Sequence, residues 1–235
     1  VSGGIERLMW FNLNGSPPEY KYSYGYQNWY PSVEKETKNT KKNVGLFDLT
    51  PFSKFDLKGE GSFDELQRIC TANIKSINGK TTYTQILNKD GGIEIDCTVV
   101  CLEKNYFRII SSAATRERDK FFILNNISKD IIFEDVTDKY CCLGVFGPKS
   151  RDLLSKISQD NFSNENFKFG TGKFVKINDM KVWAQRLSYV GEIGFELYIE
   201  TAHAKQLYKA LVAEGNNHNL THCGMRAMDT MRMEN

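Results

Sequence analysis

Histidine is scarce in this chain. Its 235 residues hold three, His203, His218 and His222, two of them in a polar stretch, which argues against a histidine metal site; no metal is expected. The six cysteines (Cys70, Cys97, Cys101, Cys141, Cys142 and Cys223) contain no C-x-x-C pair. Cys97, Cys141 and Cys142 lie inside apolar strand-like runs, so buried free thiols in a reducing compartment are expected rather than disulfides or metal ligands. Neither sign of charge dominates: 31 Lys and Arg stand against 29 Asp and Glu, a net +2. That leaves no basic face for nucleic acid and no case for a membrane surface. No apolar run approaches the roughly 18 residues of a spanning helix. Nothing at the start reads as a leader segment, although a chain that opens on Val1 is silent about what precedes it.

What is present is ordinary globular composition, 40% hydrophobic and 12% aromatic, on a length sufficient for one large domain or two lobes. Val1 to Tyr30 is aromatic and irregular, with Pro17-Pro18 and tyrosines at 20, 22, 24 and 26. Pro31 suits a first helical turn, and Ser32 to Lys42 reads as a charged helix. Strands are predicted at 44–49 and 55–58, followed by a capping box, Ser62-Phe-Asp-Glu65, opening a helix through Cys70. A hairpin over 83–102, a third strand at 106–111, a helix over 113–125 and a strand at 131–135 complete a β-α-β-β-β-α-β block. Beyond it come a strand at 140–146, a helix over 149–157, strands at 173–177, 181–188 and 194–199, a helix capped by Thr201 and ending at Gly215, and a helix from Asp229. Strands joined mostly by hairpins, with helices interspersed, predict an α+β fold with mainly antiparallel sheets and flanking helices. An inner lobe over 53–135, inserted between 1–52 and 136–235, is the expected organisation.

Two strands carry carboxylates that their neighbours do not explain. In the hairpin, Asp90-Gly91-Gly92 suits a tight turn. If Lys89 to Gly92 form the loop, Asn88 pairs with Ile93. One face then gathers Ile86, Ile93, Ile95, Cys97 and Val99, and the other Tyr83, Gln85, Asp96 and Thr98. Asp is disfavoured inside strands, so Asp96 between Ile95 and Cys97 is either a solvated outer residue or the wall of a ligand pocket. In Ser188-Tyr-Val-Gly-Glu-Ile-Gly-Phe-Glu-Leu-Tyr198, Glu196 interrupts an apolar strand in the same way, and an exposed strand face is again the plain alternative.

Taken together these segments have a familiar order. Gly45-Leu-Phe-Asp-Leu49, Tyr83-Thr-Gln-Ile-Leu-Asn88, Gly91-Gly-Ile-Glu-x-Asp96, Gly147-Pro-x-Ser150, Ser188-Tyr-Val-Gly-Glu-x-Gly-x-Glu196 and Asp229-Thr-Met-Arg-Met-Glu234 resemble the folate-binding aminomethyltransferase family. This is the fold of the glycine-cleavage T-protein, also found as the C-terminal half of dimethylglycine and sarcosine dehydrogenases. The resemblance runs from about Ile5 to Asn235. It implies two intimately packed lobes, with the family's C-terminal lobe missing from this chain. It also implies transfer of an iminium or aminomethyl carbon to tetrahydrofolate, giving 5,10-methylenetetrahydrofolate. Glu196 matches the glutamate that holds the pterin, and Tyr189 a tyrosine of the same pocket. Asp96 matches the catalytic aspartate that handles the folate amine proton and the developing positive charge. Tyr83 and Thr98 match pocket walls. One concave pocket is expected to gather Asp96, Tyr189 and Glu196.

The branch is legible too. T-proteins usually read Gly-Tyr-Thr-Gly-Glu at 188–192 and Ala-Arg-Asp at 227–229, where this chain has Ser188-Tyr-Val-Gly-Glu192 and Ala227-Met228-Asp229. Both departures resemble the dehydrogenases, as do Ile5-Glu-Arg-x-x-Trp-Phe11 and Tyr24-Gly-Tyr-Gln-Asn-Trp29. The resemblance therefore implies FAD in a separate N-terminal domain of the same polypeptide, outside this chain. The compartment would be cytoplasmic in a bacterium or the mitochondrial matrix in a eukaryote. A glycine-cleavage-type aminomethyltransferase and a non-catalytic folate-binding module are the alternatives, and Met228 removes whatever contact an arginine would make there.

Overall fold

The computed structural model describes residues 6–13, 15 and 19–234; Val1 to Ile5, Asn14, Ser16 to Pro18 and Asn235 lie outside the described residues. In chain order the elements are α1 (Tyr30–Lys42), β1 (Val44–Asp48), β2 (Ser53–Lys58), α2 (Ser62–Ile69), β3 (Thr81–Leu87), β4 (Ile93–Glu103) and β5 (Tyr106–Ser111). Then follow α3 (Arg116–Asn126), β6 (Ile132–Asp135), β7 (Tyr140–Phe146), α4 (Ser150–Ile157), β8 (Thr171–Ile177), β9 (Met180–Arg186), β10 (Gly194–Glu200), α5 (Ala204–Gly215), β11 (Leu220–Cys223) and α6 (Met225–Met233). They form two compact units. Of the described residues, one comprises 6, 50–140 and 170–173, and the other those within 7–49, 141–169 and 174–234. The fold is α+β with antiparallel-rich sheets.

The first unit is built on a five-stranded sheet in the order β3-β4-β5-β2-β6, antiparallel at every pairing. Alternation sorts its side chains, so Phe55, Leu57, Ile86, Ile95, Cys97, Val99, Phe107 and Ile109 pack one core together with Leu66 of α2 and Ile123 of α3. The second unit carries a six-stranded sheet, β11-β1-β7-β10-β9-β8, in which β1 pairs antiparallel with β7 and parallel with β11. Leu153 and Leu154 of α4 and Leu207 and Leu211 of α5 cover one face of it, against Val145, Val182, Phe195 and Leu197.

Three local expectations are corrected, and one strand was not foreseen. The capping box does not form: α2 starts at Ser62, but its N-cap is Gly61 at φ +86°, and the buried Ser62 Oγ has no partner among the described residues. Thr201 opens a 3-10 turn instead of capping α5, which begins at Ala204. Helix α6 begins at Met225, four residues before Asp229. Its first amides, which lack intrahelical acceptors, donate to the carbonyls of Leu8 at 2.8 Å and Met9 at 3.1 Å. The short polar strand β11 has no pattern of its own and exists through its pairing with β1.

Candidate functional site

In the first unit the β3–β4 hairpin places the carboxylate. Gln85 lies opposite Asp96 and Tyr83 opposite Thr98, so these four side chains share one face while Ile86, Ile95, Cys97 and Val99 are buried on the other. The loop is tied by Asn88, whose Oδ1 accepts from the backbone of Asp90 at 3.0 Å and of Gly92 at 2.8 Å, with Gly91 at φ +81°. The register slips between Ile86 and Leu87, so Ile93 pairs with Leu87 rather than Asn88. Ile93 is consequently 66% exposed, not part of the apolar face. Asp96 itself is exposed, and Gln85 Nε2 donates to its Oδ1 at 3.0 Å, which orients the carboxylate. Tyr83 is 62% exposed and Thr98 half-buried.

The same face continues inward with charge. Thr98 is opposite Ile110, and Ile110 is opposite Lys54, a fully buried lysine whose Nζ donates to the carbonyls of Thr50 at 2.9 Å and Phe52 at 2.8 Å. One pair further, Arg108 donates to both oxygens of Asp56, at 2.7 and 2.9 Å, and the Tyr106 hydroxyl donates to Asp56 at 2.6 Å. Burial opposes the Arg108 charge, but Asp56 outweighs it and holds the guanidinium pKa above its ordinary value. Burial and Asp56 together raise the Tyr106 phenol.

In the second unit Glu196 sits in β10 on the face turned away from the α4/α5 core. Its neighbours Phe195 and Leu197 belong to that core, and alternation sends Glu196 and Tyr198 to the other side. Glu196 is 9% exposed, and the buried Tyr198 hydroxyl donates to its Oε2 at 2.6 Å. Burial, with Cys142 and Glu196 beside it, pushes the Tyr198 phenol well above its usual pKa, so it remains a donor. Directly across on β9, Gln185 faces Glu196 and Trp183 faces Tyr198. Neither atom of the fully buried Gln185 amide, nor Trp183 Nε1, has a hydrogen-bond partner among the described residues. Gly194 begins β10 because β7 approaches too closely for a side chain: a Cβ there would lie 2.2 Å from Phe146 Cδ1 and 3.0 Å from the Val145 carbonyl.

Tyr189 lies before the turn that enters β10, where Gly191 takes φ +75°. It is 48% exposed, and Arg232 Nη1 donates to its hydroxyl at 3.3 Å. Met228 is buried, while Arg226 places its guanidinium 4.1 Å from the Trp29 ring centroid. Lys54 and Gln185 escaped the sequence reading, although each interrupts an apolar strand as Asp96 and Glu196 do. Among the described residues no group of three or more His, Cys, Asp or Glu side chains could hold a metal ion, and no helix is long and apolar enough to cross a membrane.

The fold is that of glycine cleavage system aminomethyltransferase T from Bartonella henselae. The two superpose with a TM-score of 0.75 at 20% sequence identity, covering 92% of this chain and 58% of that one. Sequence carries the assignment further: residues 2–235 match the family described as the GCVT N-terminal domain, and the chain belongs to it. It is 37% identical over its whole length to 4-methylaminobutanoate oxidase (formaldehyde-forming) of Paenarthrobacter nicotinovorans, covering 28% of that protein. It is 32% identical over 98% of its length to mitochondrial dimethylglycine dehydrogenase of Rattus norvegicus, covering 27% of that protein. The chain thus spans under a third of the length of these two curated relatives. It is an aminomethyltransferase-like domain related both to N-methyl amine oxidases and dehydrogenases and to the glycine cleavage T-protein.

Proposed function

We propose that this chain is the tetrahydrofolate-binding, one-carbon-transfer part of a flavin-linked enzyme that oxidises N-methyl amines of the dimethylglycine or sarcosine type. The observation that carries the reading is Glu196, a buried carboxylate inside a strand, held from one side by Tyr198. A carboxylate fixed and dried in this way accepts two parallel hydrogen bonds from the 2-amino and N3–H groups of a pterin, which is the chemistry the pterin edge asks for. The Tyr189 ring supplies apolar area and a hydroxyl beside Arg232. Tyr83 and Thr98, on the Asp96 face, serve as wall residues for the acceptor.

Asp96 is the residue assigned to transfer. The substrate is an iminium, a positively charged nitrogen doubly bonded to a methylene carbon, delivered by amine oxidation in a flavin domain outside this chain. A folate nitrogen attacks the methylene carbon as its proton leaves. The second folate nitrogen then displaces the amine and gives up its own proton. The two folate N–H protons end on the departing amine. Iminium and tetrahydrofolate thereby become a protonated amine (secondary from a dimethylated donor, primary from a monomethylated one) and 5,10-methylenetetrahydrofolate, with one positive charge on each side and no atom gained or lost. Asp96, oriented by Gln85, accepts the folate proton on its way to the amine and offsets the positive charge as it moves.

A second reading rests on the name of the Paenarthrobacter relative, which is formaldehyde-forming. In that case the module binds folate without transferring the carbon, and the methylene group is lost as formaldehyde. The partition of product in the full-length protein separates the readings. With saturating tetrahydrofolate, transfer gives methylenetetrahydrofolate faster than free formaldehyde condenses with folate. Equality with that non-enzymatic rate would favour the second reading.

A further inference from the structure

Gln185 is the most conspicuous unassigned group in the second unit. A buried primary amide normally satisfies both its donor and its acceptor, and one that satisfies neither is costly to a folded protein. Gln185 is fully buried, both amide atoms lack partners among the described residues, and the β9–β10 register sets it directly opposite Glu196. Directly opposed residues on one sheet face have Cβ atoms about 4.5–5.5 Å apart, so amide and carboxylate reach the same edge of a flat ligand. With Nε2 turned toward Glu196, the amide N–H and the two carboxylate oxygens make a row of one donor and two acceptors. A 2-amino-4-oxo heterocycle presents the complementary row: an oxo acceptor, an N3–H donor and a 2-amino donor.

Resting on the folate reading of Glu196, we propose that Gln185 is a second pterin-binding residue, its Nε2–H donating to the 4-oxo oxygen while Glu196 accepts from N3–H and the 2-amino group. Nε2 lacks a partner among the described residues because its partner is the ligand. A site built this way discriminates at the 4-position, since a ligand that replaces the oxo acceptor with a donor strands buried polar groups on both sides.

The test uses the full-length protein and Gln185→Met, which keeps the length of the side chain and removes its polarity. Tetrahydrofolate and tetrahydropterin, the ring without its tail, should both bind about tenfold more weakly, by the same factor, because the lost contact is to the ring. Affinity for p-aminobenzoylglutamate, the tail alone, should not change. The melting temperature of the ligand-free variant should equal or exceed that of the unmodified protein, since an unsatisfied buried amide is gone. Unchanged tetrahydropterin affinity would overturn the proposal, as would a lowered melting temperature with equal losses for ring and tail. If the unmodified protein binds no tetrahydrofolate, the folate reading itself fails, a result distinct from unaltered binding by the variant. If the variant does not fold, the unmodified protein still decides: a tetrahydrofolate bearing 4-amino in place of 4-oxo should bind at least about tenfold more weakly, and equal binding would overturn the proposal.

Discussion

At the scale of single residues, burial sets the chemistry. All six cysteines are buried thiols outside any disulfide. Burial pushes the Cys70 and Cys223 thiols up to about 12 and raises Cys97 well above its ordinary value, which suppresses the nucleophilic thiolate. A disulfide-exchange reagent at pH 8 should therefore label the native protein slowly and release six equivalents from this chain after denaturation. Rapid native labelling of Cys97 would contradict the burial assigned to it. The Asp56–Arg108 pair makes a second case. Asp56→Ala leaves a guanidinium buried without its carboxylate and should destabilise the first unit by about 3–5 kcal/mol in denaturant unfolding. Losing only a few tenths would mean that water reaches Arg108.

At the scale of elements, close approach and pairing decide what a side-chain pattern alone does not. Gly194→Ala forces a methyl into the Phe146 ring and the β7 backbone, and should cost about 1–3 kcal/mol by parting β10 from β7. The α3–β6 connection supplies an acid-sensitive link: Arg116 donates to Asp135 at 2.9 Å and the Thr137 backbone donates to it at 3.1 Å. Burial opposes ionisation of Asp135, yet these bonds outweigh it and hold its pKa below the ordinary 3.8. Its stabilisation is therefore complete above about pH 4 and lost as pH falls through the folded pKa. Asp135→Asn should lower stability at pH 7, and the gap from the unmodified protein should narrow below pH 4; a gap that stays constant down to pH 2 would remove Asp135 from the acid limb. The elements themselves were largely legible. Strand β7 has the predicted bounds, and the hairpin register holds from Ile86–Ile95 inward, because alternation is dictated by burial of one face. What escaped depends on distant partners, β11 on β1 and the start of α6 on the Leu8 and Met9 carbonyls, or on the register shift that exposes Ile93. Within the candidate site, Asp96 and Glu196 stood out as carboxylates inside apolar strands. Gln185 did not, since a neutral amide there draws no attention until its lack of a partner is seen.

At the scale of the whole molecule, the chain is a GCVT N-terminal domain whose two most informative side chains divide a proposed reaction between recognition and transfer. That division implies separable effects in the full-length protein. Glu196→Ala should weaken tetrahydrofolate binding by about 10–100-fold, the loss of a charged hydrogen-bond pair, with little change in the rate at saturation. On the proposed reading, reduction of the flavin by the amine needs neither carboxylate and should survive Glu196→Ala and Asp96→Ala alike. The most direct measurement is the yield of 5,10-methylenetetrahydrofolate from Asp96→Ala at saturating tetrahydrofolate, alongside its binding constant and its rate of flavin reduction. The account predicts a yield rate lowered by about 100-fold or more, with folate affinity and flavin reduction close to those of the unmodified protein. Undiminished methylenetetrahydrofolate formation together with collapsed folate binding would contradict it, and would exchange the roles given to Asp96 and Glu196.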